Sequence, residues 1–238
     1  MVIDNFLNEP IARQIVNEFP TLESPLWYRY ENAIEKKRAM NSWDRFPLVT
    51  YQLFAFLNSP QFVRYLQDCT GIEKLYPDIG LHGGGLHAHG PGGKLNIHLD
   101  YSIHPKLGLE RKLNLILYLT HEWKVEWGGG LQLWDHDHET NSPKSCARTI
   151  DNVFNRAVLF DTTQNSWHGL PDPITCPEGQ MRRSIAVYYM IEPEKNVSRR
   201  PKALFAPHKE QKDDPAVLDL IKMRASLNTA DHVYRDED

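Results

Sequence analysis

Apolar residues in the first third of the chain recur at three- to four-residue spacing, the pattern of helices that bury one face. The first predicted helix opens at Glu9 and Pro10, since proline is favoured in a first helical turn. Its predicted buried face consists of Ile11, Ile15, Val16 and Phe19. Two further helices are predicted, one through residues 51–57 and one from the cap Ser59 to Gly71. We expect these helices to pack against a flat surface.

The pattern changes near residue 80, where glycine clusters begin to separate short runs of aliphatic and aromatic residues. Such alternation predicts strands and turns. The predicted strands lie near residues 94–102, 112–120, 130–135, 157–162 and 182–190. No crossover helix separates them. The expected fold is therefore mainly β with flanking α-helices, built on an antiparallel double-stranded β-helix, the cupin-like jelly roll.

A single domain over residues 1–238 accommodates all of these elements. Residues 1–79 are expected to form a mainly helical support, and residues 80–192 the double-stranded β-helix core. Residues 193–238 form a C-terminal extension that is first polar and basic and then modestly amphipathic.

The composition, with 41% hydrophobic and 24% charged residues, is that of a globular protein. No apolar run approaches the roughly 18 residues of a membrane span. A net charge of −4 gives no electrostatic reason to bind nucleic acid or a membrane surface. Three cysteines without CxxC spacing suggest neither a disulfide framework nor a zinc site, and they fit a reducing compartment. With no secretory signal at the N-terminus, the predicted location is the cytoplasm.

Eleven histidines raise the question of metal binding. The best pair of potential ligands is His98 and Asp100, which lie in the alternating run 94–101. Because successive strand residues point to opposite faces, Asn96, His98 and Asp100 are expected to share one face. An imidazole and a carboxylate placed in this way can bind one metal ion. A polar strand face exposed to water would give the same pattern.

The other histidines are weaker candidates for metal binding. His87 and His89 lie in a glycine-rich stretch, and His136 and His138 lie in a polar run that we interpret as a solvated loop beyond a strand. An acidic partner at a useful spacing within a strand is lacking for His82, His104 and His121.

His168 supplies the third potential ligand. It follows the buried-type strand 156–161 and precedes a glycine turn, a place from which an imidazole can point into a barrel mouth. Two histidines and one carboxylate from different strands are typical of the facial triad that holds non-haem iron(II) and leaves coordination positions open.

A carboxylate-binding pair lies fourteen residues beyond His168. Arg182 and Ser184 share a strand face, so the guanidinium fork and the hydroxyl can hold one carboxylate together. Arg183 is expected to face the other way as a surface charge. Tyr118, in an alternating run, either adds a phenol to the same anion or packs in the core.

The order HxD, a distant histidine and RxS resembles the iron(II)- and 2-oxoglutarate-dependent oxygenases, in particular the prolyl 4-hydroxylase-like family, over about residues 80–190. The resemblance implies that the catalytic iron ligands are His98, Asp100 and His168, and that 2-oxoglutarate is bound by Arg182, Ser184 and Tyr118. It implies that the glycine-rich run 127–134 lines the cosubstrate pocket. The expected cofactors are Fe(II), 2-oxoglutarate and O2, with ascorbate as reductant.

The activity implied by this resemblance is hydroxylation of an aliphatic C–H bond with release of succinate and CO2. Related halogenases carry a small residue at the position of Asp100, so the carboxylate favours hydroxylation. The expected substrate is a peptidyl-prolyl group or another amino-acid-like, glycan or small-molecule group. The residues expected to face it are Asn96, Tyr101, Trp134 and Trp167, and packing within the fold is the alternative role for each of them.

Two other functions are compatible with the same residues. A cupin-like barrel could use the three ligands to hold zinc or manganese for hydrolysis or isomerisation, and a non-catalytic metal-binding module could use them without any reaction. Neither needs a carboxylate clamp beside the metal. The pair Arg182 and Ser184 therefore favours the oxygenase.

Overall fold

A curled antiparallel β-sheet around a cavity is the central element of the computed structural model, which describes residues 1–163, 165–230 and 233. The strands are β1 (Val2–Ile3), β2 (Tyr28–Glu31), β3 (Glu35–Met40), β4 (Tyr76–Pro77), β5 (Gly85–His89), β6 (Lys94–Leu99), β7 (Glu110–Tyr118), β8 (Leu131–Asp137), β9 (Ser142–Ile150), β10 (Ala157–Asp161), β11 (Trp167–Leu170), β12 (Arg182–Ile191) and β13 (Leu204–Phe205). The helices are α1 (Glu9–Glu18), α2 (Leu48–Leu57), α3 (Pro60–Thr70) and α4 (Pro215–Ala225).

The strands follow the order β1-β10-β7-β12-β5-β3-β6-β11-β8-β9, with β2 paired to β3, β4 to β12 and β13 to β6. The named strands pair antiparallel wherever they meet. Neighbours in the sheet are often distant in the chain, as expected for a jelly roll and not for a simple meander. The five predicted strands are present as β6, β7, β8, β10 and β12.

Helices α1 to α3 pack on the outer face of the sheet and form the largest hydrophobic cluster with it. Ile15, Phe54 and Leu57 are fully buried there. The hydroxyl of Tyr189 on β12 donates a hydrogen bond of 2.8 Å to the Leu57 carbonyl, which ties α2 to the sheet. Helix α3 is capped as predicted, because the Ser59 hydroxyl accepts from the Phe62 N–H and Gly71 ends the helix in the left-handed conformation.

Strand β12 lies between the hydrophobic core and the cavity, and its successive side chains point alternately to one and to the other. Ile185 and Val187 point to the helices and belong to the hydrophobic cluster. Arg182, Ser184 and Tyr188 point the other way and line the cavity.

Two details of the N-terminal third differ from the prediction. In α1 it is Ala12 that is buried, whereas Ile11 is 46% exposed. The supposedly helical support also contributes β3, which pairs with both β5 and β6 in the middle of the sheet. Its sequence, EKKRAM, is polar, and backbone pairing places it in the sheet without the hydrophobic alternation that reveals most strands. None of the described helices has the length and apolar character needed to span a bilayer.

Gly85, where β5 begins, is expected to be irreplaceable. Its φ is +101°, and a Cβ atom there would overlap the Met40 carbonyl oxygen of β3. Gly85→Ala should lower the free energy of unfolding by at least about 3 kcal/mol, since backbone strain adds to the overlap. Gly71 has a similar φ of +73° but no heavy atom within 4 Å of its would-be Cβ, so Gly71→Ala should cost only about 1 kcal/mol. Urea unfolding measures both, and equal losses would contradict the role of the close approach.

Candidate active site

A cavity of about 430 Å³ lies inside the curled sheet. Its wall combines polar side chains from β5, β6, β11 and β12 with aromatic and basic side chains nearer the N- and C-terminal segments. The predicted site residues on this wall are His98, Asp100, His168, Arg182 and Ser184. The sheet therefore brings together five of the six residues singled out from the sequence. The sixth, Tyr118, does not line the cavity but pairs with Ser184 across β7 and β12.

The first group of site residues consists of His98 on β6, Asp100 just after it and His168 on the paired strand β11. His98 Nε2 lies 3.7 Å from Asp100 Oδ1, and His168 Nε2 lies 3.8 Å from Asp100 Oδ2. All three side chains are buried, and one ligand atom of each lies within 4.8 Å of the others. In the described part of the chain, this is the group of histidine, cysteine and acidic side chains close enough to share a metal ion.

Backbone carbonyls fix the orientation of both imidazoles. His98 Nδ1 donates to the Asn96 carbonyl at 3.0 Å, and His168 Nδ1 donates to the Ser166 carbonyl at 2.8 Å. A carbonyl can only accept, so the proton must sit on Nδ1 of each neutral ring. The lone pair is therefore on Nε2, the nitrogen that faces Asp100. This tautomer is the one a metal ion needs from these rings.

The protonation states also suit a metal ion. Burial alone would raise the pKa of Asp100, but the guanidinium of Arg111 beside it holds that pKa far below its usual range. Burial lowers the pKa of His168 to about 4. At neutral pH the carboxylate is therefore ionised and the His168 ring neutral.

The hydrogen bonding of the Asp100 carboxylate indicates whether a metal ion fits between the three side chains. Asp100 Oδ2 has no hydrogen-bond partner among the described residues. Leaving an ionised oxygen buried and unpaired is costly, whereas a cation bound there would satisfy it. Two imidazole nitrogens and one carboxylate oxygen are ligands that first-row divalent metals accept. The residues present thus fit iron(II).

The second group of site residues surrounds the guanidinium of Arg182, which is 2% exposed. Arg182 Nε donates to the Gly129 carbonyl at 2.7 Å, and Nη1 donates to Ser184 Oγ at 3.1 Å. Gly129 has a φ of +77°, and a Cβ there would lie 3.0 Å from Arg182 Cδ, so the glycine-rich segment supports the arginine. The ring of Tyr118 lies 4.9 Å from the guanidinium carbon. No acidic side chain of the described residues forms a salt bridge with Arg182, which leaves its charge available to an anion.

Two histidines that the sequence left as weak candidates face this group. His87 and His89 lie on β5 directly opposite Ser184 and Arg182, and both line the cavity. Burial lowers the pKa of His87 to about 3 and that of His89 well below its usual value, so both rings are neutral. Neither ring nitrogen of His89 has a hydrogen-bond partner among the described residues.

Several sequence-based assignments around the site are wrong. Asn96 does not line the cavity, because its amide donates to the Ala206 carbonyl and to Gln211. Trp167 packs against Ile97 and Leu99 instead of facing substrate, with Trp134 beside them. Tyr101 does line the cavity, as predicted.

The histidines at the edge of the site also differ from expectation. His104 has an acidic partner, since its Nε2 lies 3.5 Å from Asp78 Oδ1. Asp78 is distant in sequence, which is why spacing within a strand did not reveal it. His136 belongs to β8 and not to a loop, and its Nδ1 accepts from Trp167 Nε1 at 3.0 Å.

Arg111 is the site residue that the sequence analysis missed. Its guanidinium lies between the rings of Tyr101 and Tyr188, and Nη1 forms an ion pair of 3.2 Å with Asp100 Oδ1. The sequence offers one signal, an arginine at the start of the run that ends in Tyr118, but strand alternation assigns it to the opposite face.

Residues 84–190 match the model of the 2OG-Fe(II) oxygenase superfamily. The matched segment contains every predicted iron and cosubstrate residue. The match supports the enzyme class predicted from the motifs, a 2-oxoglutarate-dependent dioxygenase.

Solved structures share the fold at low sequence identity. A prolyl 4-hydroxylase from Pseudomonas putida is 15% identical and aligns over 81% of this chain and 92% of its own, with a TM-score of 0.57. A prolyl hydroxylase from Trichoplax adhaerens, in complex with a peptide fragment of the hypoxia inducible factor oxygen degradation domain, is 18% identical over 80% and 82%, with a TM-score of 0.51. HygX from Streptomyces hygroscopicus, with nickel, 2-oxoglutarate and hygromycin B bound, is 15% identical over 80% and 82%, with a TM-score of 0.50. These similarities confirm the double-stranded β-helix. No curated protein sequence matches the chain.

Acid is expected to destabilise the metal-free protein through its buried imidazoles. The pKa values of His87 and His168 are lowered by burial to about 3 and about 4, whereas histidine in an unfolded chain titrates near about 6.5. The unfolded state therefore binds protons first, and the stability of the neutral rings is lost as the pH falls from about 6.5 towards the folded-state values. The melting temperature, measured with a chelator from about pH 7 to about pH 4.5, should fall, and His87→Gln should flatten the decline. Identical slopes for the two proteins would contradict this account.

Proposed function

We propose that this chain, a 2-oxoglutarate-dependent dioxygenase of the 2OG-Fe(II) oxygenase superfamily, hydroxylates an aliphatic C–H bond and releases succinate and CO2. The observation that carries the proposal is the buried group of His98, Asp100 and His168 facing a cavity that Arg182 also lines. A metal-binding group and a carboxylate-binding group in one enclosed space are what this reaction requires of a protein.

In this proposal His98, Asp100 and His168 hold iron(II). The imidazole lone pairs and the unpartnered Oδ2 of Asp100 are the donor atoms. Iron bound there would supply dioxygen activation coupled to oxidative decarboxylation of the cosubstrate. The chain itself contributes fixed ligand orientations, and all three side chains are buried.

Arg182 and Ser184 bind the distal carboxylate of 2-oxoglutarate in this proposal, with Tyr118 beside them. The Arg182 side chain is already fixed by Gly129 and Ser184, so little rotational freedom is lost when an anion binds. The Tyr118 hydroxyl is buried without a hydrogen-bond partner among the described residues, which suits a donor to the same anion.

The remaining space of the cavity would receive the primary substrate. We propose a peptidyl-prolyl group or another amino-acid-like or small-molecule group as that substrate. The proposal draws on fold analogy to structures that hold a peptide fragment in one case and hygromycin B in another. Tyr28, Tyr30 and Tyr101 on the cavity wall provide apolar faces with polar edges for such a group. Ascorbate as reductant and the cytoplasm as location stay predictions of the sequence.

The two alternative functions are less well supported. A zinc- or manganese-dependent hydrolase or isomerase would not need the buried cation Arg182 to bind a carboxylate. The same holds for a metal-binding module without activity. Hydrogen bonds to Gly129 and Ser184 satisfy part of the guanidinium, but its buried charge stays costly unless an anion compensates it. The family match of residues 84–190 also favours the oxygenase.

Removing a metal ligand should stop turnover of the cosubstrate. Purified protein supplied with iron(II), ascorbate and 2-oxoglutarate is expected to form succinate, whereas His98→Ala and Asp100→Ala should reduce its formation to background. His138→Ala is the matched control, since His138 is exposed and lies outside the cavity, and it should behave like the wild type. Succinate formation that persists in both ligand variants would refute the assignment of the ligands.

Arg182→Ala should raise the Michaelis constant for 2-oxoglutarate by roughly 10- to 100-fold, because a charge-assisted contact to the carboxylate is lost. The neighbouring Arg183→Ala is the control, because Arg183 points away from the cavity. Steady-state kinetics with 2-oxoglutarate as the varied substrate measure both. A Michaelis constant that is unaltered in Arg182→Ala would remove Arg182 from the cosubstrate site.

A further inference from the structure

Arg111 is held more rigidly than a surface or packing arginine. It is 2% exposed, and its guanidinium carbon lies 3.7 Å from the ring centre of Tyr101 and 3.4 Å from that of Tyr188. The two rings enclose the planar cation from both faces. Such stacking restricts the guanidinium to the plane between the rings, so its nitrogens can reach outward only at its edges.

Each end of the guanidinium has its own partner. Nη1 pairs with Asp100 Oδ1 at 3.2 Å, and Nη2 donates to the His82 carbonyl at 2.6 Å. The His82 carbonyl also accepts from the Tyr101 hydroxyl at 3.1 Å. One planar group thus connects a metal-ligand carboxylate to a fixed backbone oxygen. A lysine ammonium, being a single point, cannot provide both contacts from between the rings.

The segment that carries the His82 carbonyl is itself anchored. Asp78 is fully buried, and its carboxylate accepts from the backbone N–H groups of Gly80 and His82. His104 Nδ1 accepts from two backbone N–H groups, so its Nε2 carries the proton and points at Asp78. The segment that provides the backbone oxygen for Arg111 is therefore fixed by its hydrogen bonds to Asp78.

A β-bulge turns Arg111 towards the cavity. On β7, Asn114 and Ile116 line the cavity, so strict alternation would send Arg111 to the opposite face. Leu113 pairs with Tyr189, but the next pair is Arg111 with Met190, so Lys112 has no partner on β12. The extra residue shifts the alternation by one and re-aims the arginine.

We propose that Arg111 is a positioning residue for Asp100, which holds Oδ1 so that Oδ2 is the oxygen presented to the metal ion. The inference rests on the proposed function only in taking Asp100 as a metal ligand. It accounts for the difference between the two oxygens, of which Oδ1 is paired with Arg111 and Oδ2 has no hydrogen-bond partner among the described residues. Partners that orient a ligand in this way are often as important for metal affinity as its own chemistry.

Cobalt(II) binding tests the inference without any turnover. Arg111→Lys keeps the buried charge but not the two-ended contact, so electrostatic repulsion of the metal is unchanged and only the orientation of Asp100 is lost. We expect its cobalt affinity to fall by about 10- to 100-fold and the visible absorption of the bound cobalt to change. Lys112→Met is the matched control, since Lys112 lies in the same bulge and pairs with Asp161 outside the site; it should retain the wild-type affinity and spectrum.

Arg111→Gln provides a second variant, with circular dichroism establishing that each variant is folded. A folded Arg111→Lys or Arg111→Gln protein with the cobalt affinity and spectrum of the wild type would overturn the inference. Succinate formation by the wild-type protein tests the proposed function independently of the cobalt measurement. A protein that shows the cobalt effect but forms no succinate would support the role of Arg111 and contradict the hydroxylase.

Discussion

The arrangement of the site depends on burying one carboxylate, Asp100, in ionised form. A lone charge at that depth would be neutralised by protonation, since transfer from water is very costly. Here a buried cation, Arg111, is paired with it, so the pKa of Asp100 stays low despite burial. The same surroundings leave one oxygen unsatisfied. The fold therefore keeps an ionised carboxylate buried at the cost of an incomplete polar network, which a metal ion would complete.

Around this carboxylate, the antiparallel sheet keeps two incompatible environments apart. The outer face of β12 joins the helices in an apolar core, while its inner face carries Arg182, Ser184 and Tyr188. A single strand can contribute to the apolar core and to the polar cavity because its successive side chains point to opposite faces. Polar groups that would be costly in a packed core are thus collected in one cavity, where ligands can satisfy them.

Much of the site could be predicted from the sequence because its key pairs obey strand alternation. His98 with Asp100, and Arg182 with Ser184, do share a face as predicted. The predictions of which side chains face the cavity fail where the register between two paired strands shifts. A bulge where β6 meets β11 separates Asn96 from the cavity, and the bulge in β7 brings Arg111 into it. A single sequence does not reveal which strand gains a residue against its partner, since a bulge depends on both strands.

The polar strand β3 has a consequence for how the chain folds. It is one of the earliest segments to be synthesised, yet its partners are the much later β5 and β6, which it joins into a continuous surface. Strand β2, which precedes β3, already pairs with one edge of it, but the other edge has no partner until β5 and β6 exist. The charged residues of β3 oppose pairing with other chains in the meantime. Closing such distant contacts costs chain entropy before any burial is gained, so folding of this barrel should be slow and limited by topology. The sheet formed by residues 84–190 is therefore continuous only when β3, which precedes them in the chain, joins β5 to β6.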